Sequence, residues 1–153
     1  IKTCPILLCG SSSNMANIKY VDHALIQNCI FSNSSSTGLE VSAKASIDTC
    51  IFKNNNQYGA YISGGDTVKI SNCLFEGNTK GIVNGKQVVV RNNEFTNNTV
   101  AIHNTNFADL GTNSTDCAGN NIFTNSLEYH VYNQKSDTLW AVFNKWGVNI
   151  KIE

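Results

Sequence analysis

The chain has 153 residues, 14% of them charged, with 11 Lys+Arg against 11 Asp+Glu and a formal net charge of zero. One arginine (Arg91) and ten scattered lysines exclude the basic footprint of a nucleic-acid binder, and no run approaches the ~18 apolar residues of a membrane helix. An Asn-, Ser- and Thr-rich polar fraction argues against long helices, and 41% hydrophobic content without net charge argues against disorder.

Residues 1–16 read as an irregular N-terminal segment. The chain opens at Ile1 without Met, as a processed or excised segment does. Ile6-Leu7-Leu8 is consistent with a short buried strand, and Gly10 to Asn14 is a turn cluster. Cys4 and Cys9 are near enough to close a small disulfide loop. Residues 18–23 alternate with period two and predict a strand.

A phrase then recurs: Cys29-Ile30-Phe31-Ser32-Asn33, Cys50-Ile51-Phe52-Lys53-Asn54, Cys73-Leu74-Phe75-Glu76-Gly77-Asn78, Asn93-Glu94-Phe95-Thr96-Asn97 and Asn121-Ile122-Phe123-Thr124-Asn125. Its Phe positions are 21, 23, 20 and 28 residues apart, a spacing that defines solenoid coils. Five residues before each of the first four Phe stands an aliphatic residue (Ile26, Ile47, Ile70, Val90). After each a second short strand is predicted at 38–41, 59–62, 81–84 and 101–104. Alternation places each Phe and the residue two before it inside. Cys29, Cys50 and Cys73 are therefore expected as stacked interior thiols rather than disulfides. The Asn after each Phe falls where the chain turns, because Asn tolerates left-handed backbone and can bond its neighbours along the stack. The coils span 17–133 as one domain, with an insertion at about 105–117. It is expected to be a surface excursion or a binding loop. Cys117 within it has no obvious partner. Residues 134–153, which include Trp140, Phe143 and Trp146, read as a cap over the open solenoid end.

Two outward rows are candidate surfaces. Glu40, Tyr61, Val83, His103 and His130, with Tyr58 and Tyr132 nearby, form a linear array of aromatic and hydrogen-bonding groups suited to a polysaccharide. The second row, Ile30, Ile51, Leu74 and Ile122 interrupted by Glu94, is an aliphatic stripe that either the chain itself covers or self-association uses. The carboxylates lie at different repeat positions, so no convergent acid pair is expected. Arg91 is expected on the coil surface. His103 and His130 lack a third ligand in register, so no metal site and no cofactor are expected. Asn33, Asn97 and Asn113 begin glycosylation-acceptor triplets, which arise by chance in so Asn-rich a chain.

The coils at 70–78 and 90–98 resemble the right-handed parallel β-helix repeats of the pectin-lyase-like superfamily. The close, Gly119 to Phe123 and then Ala141-Val142-Phe143-Asn144-Lys145-Trp146-Gly147, resembles the end of bacterial secreted β-helix-repeat proteins, in which an Ala-x-x-Asn-x-Trp-Gly segment follows the last coil. The resemblance covers about residues 17–147. It implies an all-β right-handed parallel β-helix of about five to six coils in a secreted or cell-surface protein. That superfamily includes lyases, hydrolases, epimerases, tailspikes, adhesins and binding modules, so the fold leaves activity open. The lyase pattern of clustered Asp residues around a basic residue is not matched, nor are the polygalacturonase motifs. The expectation is a non-catalytic module binding carbohydrate or another surface. The alternatives are a fragment of a polysaccharide lyase or glycoside hydrolase, and a structural spacer.

Overall fold

The computed structural model describes residues 7–9, 15–112 and 117–147, which form a right-handed parallel β-solenoid of about six turns. Cys4, for which a loop to Cys9 was open, the turn at 10–14 and the Asn113 triplet lie outside the described residues. Three parallel sheets line the solenoid. Sheet A stacks Leu7–Cys9, Ile30–Ser32, Ile51–Lys53, Leu74–Glu76, Glu94–Thr96, Ile122–Thr124 and Lys145–Trp146. Sheet B stacks Ala16–Ile18, Leu39–Val41, Tyr58–Ile62, Lys80–Asn84, Val100–Asn104 and Tyr129–Asn133. Sheet C stacks Ala24–Gln27, Ala45–Asp48, Val68–Ser71, Val88–Arg91 and Ala108–Asp109.

Each coil thus has three strands where two were predicted, because the aliphatic residues ahead of each Phe sit in a sheet of their own. Ile47, Ile70 and Val90 are fully or almost fully buried there. The predicted strand at 18–23 is also corrected. Strands end at Ile18 and begin at Ala24, and Tyr20 between them has a φ of 57°, which turns the chain instead of extending it.

The interior follows the repeat. Phe31, Phe52, Phe75, Phe95 and Phe123 pair in register and are 0–2% exposed. Their rings stack nearly parallel at centroid distances of 5.1, 4.6, 4.9 and 4.9 Å. The rung spacing of ~4.8 Å leaves such rings offset and in contact along the whole axis. Glycines open the wall beside them: a Cβ on Gly59 would lie 2.7 Å from the Gly81 carbonyl and 3.0 Å from the Phe75 ring.

Two rows of left-handed residues make the corners. Asn33, Asn54, Gly77, Asn97 and Asn125 follow each Phe by two, as predicted, with φ between 52° and 67°. A second row three residues before each Phe comprises Asn28, Thr49, Asn72, Asn92 and Asn120, with φ of 50–57°. It turns sheet C sharply into sheet A, and Asn suits it because its short polar side chain lowers the ~1–2 kcal/mol cost of this conformation. The ladder that bonds along the stack is not the exposed corner row. It comprises the residues one further on, where Asn55, Asn78 and Asn98 are buried. Asn55 and Asn78 each donate Nδ2–H to the Oδ1 of the next Asn, at 2.9 and 3.0 Å. All three also donate to the carbonyl of the Phe one rung below, at 3.1, 2.9 and 2.8 Å.

The aromatic C-terminal segment closes the stack in register, as a last partial turn. Lys145–Trp146 pairs with Ile122–Phe123. The Trp146 ring stacks on Phe123 at 4.6 Å and 8°. Phe143, three residues before Trp146, adopts the left-handed corner conformation (φ 58°). Trp140 bridges to Asp109 and extends sheet C.

Candidate functional site

The outer face of sheet B carries a contiguous group of aromatic and polar side chains. Register aligns Asn17, Glu40, Tyr61, Val83, His103 and Tyr132 in one column, and Tyr58, Lys80, Val100 and Tyr129 in a second. In a five-residue strand, positions three apart lie on one face here because a buried pair (such as Gly81 and Ile82) separates them.

Tyrosine pairs stand three rungs apart on this face. Tyr58 and Tyr61 form a tilted pair with centroids 5.6 Å apart, and Tyr129 and Tyr132 another at 5.3 Å. Between the pairs, Lys80 Nζ donates to His103 Nδ1 at 2.8 Å and lies 5.7 Å from the Tyr58 ring centre, a cation–π distance. His103 Nε2 is 3.1 Å from Gln134 Oε1, and its ring tilts against Tyr132 at 5.0 Å. Because Nδ1 accepts from an ammonium, Nε2 carries the proton and donates to Gln134. Burial and the Lys80 charge hold the His103 pKa below the usual value of 6.5, partly opposed by the Gln134 hydrogen bond. The imidazole is therefore neutral at physiological pH, with a fixed tautomer. Beside it a depression of about 290 Å³ is lined by Lys80, Val100, His103, Glu128, Tyr129 and Tyr132. At the other end Glu40 accepts from Ser63 Oγ at 3.0 Å and from Asn17 Nδ2 at 3.1 Å.

Glu40, Tyr58, Tyr61, His103 and Tyr132 share this face, as their spacing predicted. His130 does not. It was expected outward beside His103, but the register pairs His103 with Tyr132 and leaves His130 fully buried, level with Ala101. The Asn84–Asn104–Asn133 amide ladder fixes that register, with Nδ2–Oδ1 distances of 2.7 and 2.6 Å. Among the described residues sheet B ends one strand before sheet A does. The His130 ring fills the resulting interior space, 6.0 Å from Phe123 and 6.3 Å from Trp146. Its Nδ1 is 2.8 Å from Ser126 Oγ, and Nε2 reaches only toward the Gly147 backbone without a well-formed bond. Lys80, Tyr129 and Gln134 belong to the face and were missed. The Tyr58–Lys80–Val100–Tyr129 column repeats at coil spacing, a signal that reading one row alone passes over.

The aliphatic stripe exists on the outer face of sheet A. Ile30, Ile51 and Leu74 are in register and half-buried, flanked by the Lys53–Glu76 ion pair at 2.9 Å. Exposed Glu94 separates them from Ile122, which is 37% exposed. Arg91 is not free on the surface. It pairs with Asp109 Oδ2 at 2.6 Å and donates to the Asp109 and Val90 carbonyls at 2.6 and 3.0 Å, anchoring the start of the insertion. Among the described residues no three of His, Cys, Asp and Glu converge on a point that could hold a metal ion.

The chain belongs to the right-handed β-helix family, whose description, "Right handed beta helix region", matches residues 6–145. Membership of the pectin-lyase-like superfamily is consistent with that family. No curated protein and no solved structure matches the chain significantly.

Proposed function

We propose that the chain is a non-catalytic module of a secreted or cell-surface protein that binds a linear carbohydrate along the outer face of sheet B. The observation that carries this reading is the pair of tyrosine platforms, Tyr58/Tyr61 and Tyr129/Tyr132, flanking the Lys80–His103–Gln134 hydrogen-bonded group. Aromatic faces stack on the apolar faces of pyranose rings, and the polar groups between them offer partners to hydroxyls. Platforms three rungs apart lie ~14 Å from each other, so the ligand runs parallel to the solenoid axis across several rings. The secreted or surface setting rests on the resemblance of the C-terminal segment.

The test is binding of the folded protein to a panel of polysaccharides, followed by calorimetry on any ligand found. Tyr61→Ala and Tyr132→Ala should each weaken binding by roughly fivefold to tenfold. A folded protein that binds no glycan would favour a spacer role. Binding that survives both substitutions would move the site elsewhere.

A further inference from the structure

The second column on the outer face of sheet B holds Tyr58, Lys80, Val100 and Tyr129 on successive rungs. Three of these side chains are long, and Val100 is short. A short side chain among long ones leaves a hollow, and the depression of about 290 Å³ beside His103 is that hollow. Val100, 6% exposed, is its floor. Lys80 stands on the rung below Val100 and Tyr129 on the rung above, so their strands lie ~10 Å apart across it.

The rim carries two opposite charges that do not meet. Lys80 Nζ gives one of its three N–H donors to His103 Nδ1 at 2.8 Å and has two more. Glu128 immediately precedes Tyr129 and is exposed, and its backbone N–H donates to the Thr99 carbonyl at 2.9 Å. The ion pairs among the described residues are Lys53–Glu76 and Arg91–Asp109, so Lys80 and Glu128 line one hollow without pairing. Charge complementarity then specifies the guest. It needs a hydrogen-bond acceptor toward Lys80, a donor toward Glu128 and apolar surface over Val100. A sugar carboxylate suits Lys80 but meets Glu128 with like charge. A bare hydroxyl suits either charge but lays no apolar surface on Val100. A secondary amide holds its carbonyl and N–H on opposite sides, and an acetamido group adds a methyl.

We propose that this hollow takes the 2-acetamido group of an N-acetylated amino sugar, its carbonyl on Lys80 Nζ, its N–H on the Glu128 carboxylate and its methyl on Val100. The inference rests on the reading of the sheet B face as a carbohydrate site and narrows the ligand to a polymer with N-acetylated residues. Both hydrogen bonds are charge-assisted, the stronger kind. The sugar ring that bears the group stacks on the Tyr129/Tyr132 platform at the edge of the hollow.

The test is calorimetry of the full chain with two oligosaccharides of the same length and linkage, a β-linked oligomer of N-acetylglucosamine and its glucose counterpart. The N-acetylated oligomer should bind roughly tenfold tighter. Glu128→Ala should bring the two affinities together, and Glu128→Gln, which keeps an acceptor, should retain part of the difference. Val100→Thr, which puts a hydroxyl on the floor at nearly the same volume, should reduce it independently. Melting curves check that each variant is folded. Equal affinity of the parent chain for the two oligomers, or a preference undiminished by Glu128→Ala, would overturn this inference and leave the carbohydrate reading standing. The same holds if neither oligomer binds while another glycan binds in a Tyr132-dependent way. A folded chain that binds no glycan at all would sink both.

Discussion

The lower and upper halves of the solenoid hold the same backbone with different interior chemistry. Two residues before each ring, the lower rungs carry the buried sulfurs of Cys29, Cys50 and Cys73, which fill volume and bond weakly to backbone carbonyls. The upper rungs carry Asn93, Asn121 and Asn144 there, amides that join each rung to the next through both backbone and side chain. Net hydrogen-bond contributions are modest when formed, but a buried group left unpaired costs ~1–3 kcal/mol. At this position the upper rungs should therefore be held by directional bonds that fail sharply when one is lost, and the lower rungs by packing that tolerates exchange, whereas the Asn55–Asn78–Asn98 ladder at the opposite corner is shared by both halves.

The largest expected effect comes from Asn121→Ala. It strands the Asn93 N–H and removes the Asn121 amide from both Val90 O and Asn144, so it should lower stability by about 3 kcal/mol in urea denaturation. A loss below ~1 kcal/mol would erase the distinction between the halves. Cys50→Asn in the lower half should change stability by less than ~1 kcal/mol, because a similar volume is kept and the same carbonyls are offered an N–H donor.

Acid should separate the halves next. Burial holds the His130 pKa below 6.5, partly opposed by the Gly147 backbone. The unfolded chain then binds more protons than the folded one between the two values, so stability present at neutral pH is lost as pH falls below 6.5 toward the folded value. Burial and Lys80 give His103 the same direction. Tm measured from pH ~7.5 to ~5 should fall, and His130→Ala should flatten that slope, leaving the His103 part. An unchanged slope would mean that His130 titrates freely. The smallest effect belongs to Asp48 in the lower half. Burial raises its pKa, but hydrogen bonds from Asn72, Ser71, Thr49 and Gln27 outweigh that and lower it. Its contribution is present above the ordinary carboxylate range and lost as pH drops through the lowered pKa. Asp48→Asn should shift only the acid limb of an acid-denaturation curve.

The interior was largely legible in the chain itself. Phe, Cys and Asn recur at coil spacing, and alternation alone turns them inward. Three features were not. The buried Asn55–Asn78–Asn98 ladder lies one residue from the exposed corner Asn, and composition cannot tell which of two adjacent Asn residues points in. Trp146 belongs to the phenyl column although it is not Phe. The cue was Asn144-Lys145-Trp146 standing 23 residues after Asn121-Ile122-Phe123. His130 was misplaced because residue likeness to His103 suggested one register and the Asn104–Asn133 bond enforces another. The candidate face was legible only in part, since Lys80 and Gln134 gain their roles from a cross-coil contact with His103.

The coils differ in length, yet the sheets stay in step. Phe95 and Phe123 stand 28 residues apart, against 20 in the coil before. The Arg91–Asp109 pair clamps one side of the added length, and the bond from Asn92 N–H to the Gly119 carbonyl, 2.8 Å, clamps the other. Extra length is thus absorbed inside a single coil: the two clamps let the neighbouring rungs keep the same register as the shorter coils, so coil length and rung register are set independently.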